Sequence, residues 1–308
     1  MSAPQQMLVA SVTKTPAVWV QTDAPSAGWT GLSTLGSLIY AVGTNTVVQI
    51  SRNRGATWNA SGNSPTALYT GVANSSGSKA FAITDSNAVW FLDTSGVTWP
   101  PTAFPATGAT SCTMTSDGVT GYLVNNTGST GNIYKSTDSG GTWVLNSATG
   151  KPMLGIAISQ NGVNGIAINN SSSYPYITTN SGVDWLQNTT KQDSWGCCAC
   201  SSTGTIMYLG TKGTNINRSS DTGGSWTALA NSGNRIWTSI KCSDDGTRII
   251  ATEGSTAKIY LSLDSGATWT VQSPTSVSAS GFFANIFGDG TLAVAADRNG
   301  RIYVLDLS

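Results

Sequence analysis

A chain of 308 residues is long enough for a substantial core, as one large domain or two average ones. Its 15 basic and 15 acidic residues cancel, only 10% of positions are charged, and no basic run marks a phosphate-tracking surface, so nucleic-acid binding is not expected. Histidine is absent, which removes histidine general bases, Ser-His-Asp triads and histidine metal ligands, and the single glutamate, Glu253, in a background of Gly, Ser, Thr and Asn, points to an all-β protein with many short turns.

The chain opens "MSAPQQMLVASVTKTPAVWV", with no charged segment followed by a long apolar one. No signal peptide and no membrane span are expected, which implies synthesis in the cytoplasm. Residues 1–15 stand outside the repeating units that follow and are read as an N-terminal arm. Its "MLVASV" is apolar enough to add as a strand to the edge of a neighbouring subunit or partner, which would make the protein a component of a particle or surface assembly.

From here one pattern returns. Trp19, Trp58, Trp99, Trp143, Trp185, Trp226 and Trp269 recur at the roughly forty-residue period of four-stranded propeller blades. The third unit reads as four short strands: "GATSCTMTSDG", "TGYLVNN", "GNIYKS" and "TWVLNS". The sixth repeats it as "WTSIKCSDDG", "TRIIATEG", "AKIYLS" and "ATWTVQS". The last unit, "FFANIFGDG", "TLAVAAD" and "RIYVLDLS", has three strands. The missing fourth is expected from residues 16–23, "PAVWVQTD", which would close the ring and hide two sheet edges. The expected fold is therefore one all-β domain over 16–308, a seven-bladed β-propeller with four-stranded blades.

A short motif precedes most of the tryptophans. "STDSGGTW" (136–143) and "SLDSGATW" (262–269) follow the pattern S-x-D-x-G-x-T-W in full, and "SSDTGGSW" (219–226) differs by Thr to Ser. "SRNRGATW" (51–58) and "TTNSGVDW" (178–185) place Asn53 and Asn180 where the others have Asp138, Asp221 and Asp264, and "LDTSGVTW" (92–99) has one extra residue after Asp93. With these motifs at blade spacing, the whole chain resembles the Asp-box (bacterial neuraminidase repeat) β-propellers. The resemblance implies that the motifs sit at turns between third and fourth strands, on a rim away from the functional face. A short Asp or Asn side chain there accepts hydrogen bonds from backbone N–H groups two or three residues on, glycine tolerates the positive φ, and the tryptophan covers the neighbouring sheet.

The five cysteines, Cys112, Cys197, Cys198, Cys200 and Cys242, all fall on first strands. No second ligand pair accompanies "CCAC", so they are read as buried structural thiols and no metal or other cofactor is expected. Spacing places Cys112, Cys198, Cys200 and Cys242 on one strand face and Cys197 on the other.

Function is sought on the opposite face, where the resemblance places binding sites. Its second-to-third-strand loops and blade connections bring Asp85, Asn125, Asn169, Lys212, Arg235, Glu253, Asp297 and Arg298 around one rim, read as polar and nearly neutral. Trp29, Trp195, Trp237 and Phe282 stand where blades begin, as packing or as sugar-stacking rings. A sialidase would need an arginine triad, a tyrosine nucleophile partnered by a glutamate, and an acid aspartate; no tyrosine is evident beside Glu253. A two-aspartate glycosidase of the xyloglucanase type would use Asp85 and Asp297. The photosystem II assembly factors are similar in repeat style, but their arginine-rich patch would have to come from only seven arginines. The expected function is thus non-catalytic: a binding or scaffold propeller with protein neighbours or glycans as partners. The alternatives are a sialidase-like or xyloglucanase-like glycoside hydrolase and an assembly-factor-like chaperone.

Overall fold

The computed structural model describes residues 17–62, 64, 66–67, 69–74, 79–84, 88–92, 99–102, 104–171, 173–254, 256–274, 281–298 and 300–308, with residues 70 and 74 described by backbone alone. The arm at 1–15, Asp85 and Asp93 lie outside the described residues. No helix among the described residues is long and apolar enough to cross a membrane.

Seven four-stranded antiparallel sheets form the ring. The innermost strands of blades 1 to 7 are Gly28–Leu35, Tyr69–Asn74, Ala109–Met114, Met153–Ile158, Trp195–Cys200, Trp237–Cys242 and Phe282–Ile286. The fourth strand of blade 7 comes from the other end of the chain: Trp19–Gln21 pairs antiparallel with Ile302–Asp306, Trp19 opposite Leu305 and Gln21 opposite Tyr303. This is shorter than the 16–23 expected, yet flanking bonds extend the seal. Thr22 N–H donates to Ile302 O (2.9 Å), and Trp19 Nε1 donates to Gln272 O on blade 6 (3.1 Å).

Second strands such as Gly121–Asn125 and Met207–Thr211 are buried along their whole length. Each lies inside its sheet with a neighbouring blade against both faces, so burial does not alternate there. Apolar residues gather into seven clusters, one per blade interface. The turn tryptophans all lean onto the preceding blade. Trp99 meets Tyr40 edge-on at 6.4 Å, Trp143 meets Phe81 at 5.1 Å and Trp185 meets Tyr122 at 5.8 Å. Area burial of one such ring is worth about 4–6 kcal/mol as an upper bound, so these contacts are a main source of blade-to-blade cohesion.

A hydrogen-bonded belt joins the first-to-second-strand turns. Ser116 N–H donates to Gln160 O, Gln160 N–H to Ser202 O, Ser202 N–H to Asp244 O and Asp244 N–H to Gly288 O, all at 2.8–2.9 Å, linking blades 3 to 7 in order. The innermost strands of blades 1 to 6 also share a register shift near their start, after the first residue in blades 2 to 6, as between Trp237 and Ser239, and after the second in blade 1, between Trp29 and Gly31. Blade 7 pairs without it.

Candidate functional site

The S-x-D-x-G-x-T-W turns are closed by their own hydrogen bonds. Asp138 Oδ1 accepts from Ser136 Oγ and from Thr142 N–H (both 2.8 Å), Oδ2 accepts from Thr142 Oγ1 (2.7 Å), and Ser136 Oγ accepts from Gly140 N–H (2.8 Å). The backbone donor to the aspartate is four residues on, not two or three as the sequence suggested. The reason is that two successive residues turn left-handed: Ser139 at φ 63° and Gly140 at φ 93°. The same pair of positive φ values recurs at Arg54 and Gly55, Ser181 and Gly182, Thr222 and Gly223, and Ser265 and Gly266. A non-glycine residue pays for that conformation with strain, and the bonds to the Asp or Asn offset it.

The opposite face, formed by second-to-third-strand loops and blade connections, differs from its expected character. Asn125 and Asn169 are fully buried, and Glu253 and Asp297 are each 5% exposed. They occupy one repeated position, the last residue of the second strand, and they anchor the loops that follow. Asn125 Oδ1 accepts from Asn132 N–H (2.8 Å) while its Nδ2 donates to Thr107 O (2.8 Å); Asn169 Oδ1 accepts from Ser171 N–H (3.1 Å). Trp195 and Trp237 are fully buried and Trp29 is nearly so, each with its indole N–H spent on the preceding blade: Trp29 to Gly300 O (3.1 Å), Trp195 to Ser173 O (2.7 Å) and Trp237 to Thr214 O (3.2 Å). Phe282 is buried as well, and the ring that reaches the channel mouth is its neighbour Phe283, with the Arg298 guanidinium stacked 4.3 Å above it. Burial pushes the Arg298 pKa down.

With the carboxylates withdrawn, the rim is not neutral. Lys151, Lys191, Lys212, Arg235, Lys258, Arg298 and Arg301 stand on the connection face over blades 4 to 7, while Asp23 and Asp193 are its accessible carboxylates among the described residues. Lys212 Nζ donates to Asn170 Oδ1, and Arg301 Nη1 to Gln21 Oε1 (2.8 Å). The turn face carries the reverse: exposed Asp117, Asp138, Asp184, Asp221, Asp244, Asp245, Asp264, Asp289 and Asp306, against Arg52, Arg54, Lys79, Lys135 and Arg248. A chain of zero net charge is thus divided into a basic face and an acidic face.

Between the faces runs the central channel, with two lobes of about 160 and 200 Å³. Leu32, Val72, Cys112 and Lys241 line both. All five thiols are free, on innermost strands as expected, and Cys112, Cys197, Cys198 and Cys242 line the channel. Burial pushes the Cys112, Cys198 and Cys200 thiols up to about 12, against the opposing pull of Lys241, so they are protonated at neutral pH.

Glu253 does have a tyrosine partner, contrary to the sequence reading. Its Oε2 accepts from Tyr260 OH (3.0 Å) and Thr256 Oγ1 (2.6 Å), and lies 3.6 Å from Arg235 Nη1, whose guanidinium stacks 4.4 Å over the Tyr260 ring. The pair was hidden because seven residues separate its members across a loop. Tyr260 is only 4% exposed, and burial followed by Glu253 pushes its pKa up, the wrong direction for a nucleophile. The other glycosidase pair is Asp85 with Asp297, and Asp85 lies outside the described residues. The repeat did hold a clue to the buried anchors: Thr84, Asn125, Asn169, Thr211, Glu253 and Asp297 share one register, as a loop anchor requires.

No protein-family model matches the chain, and no curated protein sequence matches it. Solved structures do. The chain is similar to YCF48 bound to D1 peptide, with TM-score 0.71 and 15% identity over 96% of this chain and 98% of that one. It is similar to YCF48 from Cyanidioschyzon merolae, with TM-score 0.71 and 16% identity over 94% and 98%. It is also similar to the GH74 xyloglucanase from Xanthomonas campestris, with TM-score 0.71 and 13% identity over 95% of this chain and 54% of that one. At these identities the likeness is one of fold.

Proposed function

We propose that the protein is a non-catalytic binding propeller whose connection face, over blades 4 to 7, receives an acidic segment of a partner protein. The observation that carries this reading is the charge separation. Lys151, Lys191, Lys212, Lys258, Arg298 and Arg301 share one face with Arg235, which Glu253 partners from below at 3.6 Å, and Glu253 and Asp297 are themselves buried beneath that face. Such a face attracts and orients an acidic partner, and the attraction weakens with salt. The Arg298–Phe283 stack at the channel mouth adds a firm amphipathic contact.

The likeness to YCF48 in a peptide-bound form supports the mode, a propeller of this fold binding a peptide. It favours the assembly-factor-like alternative over a lectin-like surface scaffold. The shortage of arginine that argued against it is met by lysines on the same face. A catalytic reading gains nothing from Glu253, which is enclosed by Tyr260, Thr256 and Arg235.

An array of immobilised peptides of acidic, neutral and basic composition tests the proposal. The acidic set should retain the protein at low salt and release it at high salt. Replacing Lys151, Lys212 and Lys258 together by Glu should abolish retention without lowering Tm. Equal retention of neutral and acidic peptides, or retention unchanged in that variant, would refute it.

A further inference from the structure

We infer that the channel itself is an anion site, in which Lys241 holds a small oxyanion or a carboxylate that enters from the connection face. This goes beyond the binding of a segment on the face and stands on separate observations.

The first is the position of Lys241. It lies on the innermost strand of blade 6 and lines both channel lobes. The aligned positions in blades 1 to 5 are Ser33, Ala73, Thr113, Ala157 and Ala199, so one blade in the ring contributes a charge at this level. Its ammonium makes no hydrogen bond or ion pair to any described residue. Lys241 is partly buried beside Cys112 and Cys242, so its charge is less fully hydrated than that of a surface lysine and is served by an anionic partner.

The second observation is the company it keeps. In blade 7 the aligned residue is Asn285, 7% exposed, whose Oδ1 accepts from Ile286 N–H (2.9 Å). That bond fixes the amide's orientation and leaves Nδ2 unpaired among the described residues, in a side chain that lines the lower lobe. The hydroxyls of Ser239, two residues before Lys241 on the same strand face, and of Ser111 in blade 3 line the upper lobe and are likewise unpaired among the described residues. An ammonium, an amide NH₂ and two hydroxyls, none of them donating to a described residue, line the channel around Lys241, and an anionic oxygen group can accept from each.

The third is access. No carboxylate lines the upper lobe among the described residues, and its mouth opens on the basic face. In the lower lobe Asp244 is the lining acid. It accepts from Gln160 Nε2 (2.8 Å), and its backbone is part of the belt at the far mouth, so it guards the acidic end of the channel. An anion is therefore drawn in from one side and repelled from the other.

The test is titration of uniformly ¹³C-labelled protein with inorganic phosphate at fixed ionic strength, following the lysine Cε–Hε signals. The Lys241 signal should shift saturably with a single site, while Lys212 and Lys258 drift without saturating. Lys241→Met should weaken phosphate binding at least tenfold by calorimetry, and Lys79→Met, on the turn face, should leave it unchanged. If Lys241→Met fails to fold, Ser239→Ala and Asn285→Leu provide the same test and should each weaken binding severalfold. Acetate separates the two sources of the group: competition with phosphate at Lys241 assigns a carboxylate, and its absence assigns a free oxyanion. A Lys241 signal that moves only as the exposed lysines do, or affinity unaltered by these substitutions, would overturn the inference. Peptide retention by the face is read separately, so either result stands if the other fails.

Discussion

Asn180 shows how closely residue chemistry is matched within a turn. Where Asp138 and Asp264 accept from a Thr hydroxyl and Asp221 from a Ser hydroxyl, this turn pairs Asn180 Nδ2 with Asp184 Oδ2 at 3.0 Å. Asn180→Asp would set two carboxylates side by side, and it should lower Tm more than Asn53→Asp, whose partner Thr57 can donate instead. Asp138→Ala should cost about 1–3 kcal/mol in chemical denaturation, from the lost turn bonds and the strain they offset. Asp264→Ala should shift stability in the same direction. Peptide retention should be unchanged in both, since they lie on the turn face. Two further aspartates set an acid limit. The Arg54 guanidinium beside Asp289 holds its carboxyl down to about 2, and the Ser225 hydroxyl does the same for Asp221. Folded-state values below the ordinary carboxylate range mean that this stabilisation is complete above about pH 4 and is lost as pH falls toward about 2. Unfolding midpoints measured across that window should fall, and Asp289→Asn should flatten the decline.

At the level of elements, the closing strand and the innermost strands were legible to different degrees. The seven tryptophans fixed blade number and ring closure because each one marks the same packing position against the preceding blade. The shift near the start of six innermost strands left no comparable mark, since it depends on how closely neighbouring backbones approach. Gly196 is its sharpest instance: a Cβ there would lie 2.0 Å from Trp237 O. Gly196→Ala should therefore destabilise the protein by several kcal/mol. A smaller loss at Gly36, where a Cβ meets nothing within 4 Å, is the internal control, although its φ of 62° keeps some strain. The closing strand makes three register pairs and the Trp19 bond to blade 6. Trp19→Ala should lower Tm by removing both that bond and the ring packed at the junction of blades 6 and 7.

For the whole molecule, the division of charge between faces is the feature that composition concealed. Asp244, Asp245 and Glu253 lie within ten residues of one another in the chain, yet the first two project from the acidic turn face and the third is buried beneath the basic one. Net charge sums across that boundary, and only the assigned turns and loops separate its two sides. The same step turned a rim read as neutral into one lined by lysine and arginine, and turned candidate ligand contacts such as Asn125 and Trp195 into internal supports. The most direct test is a fluorescence-anisotropy titration of one labelled hexa-aspartate peptide, run at low and high salt. It compares the wild type with Lys151/Lys212/Lys258→Glu on the connection face and with Arg52/Lys79→Glu on the turn face. The account predicts salt-sensitive binding that the first variant loses and the second retains. Binding that survives reversal of the connection face, or that disappears only when the turn face is altered, would contradict it.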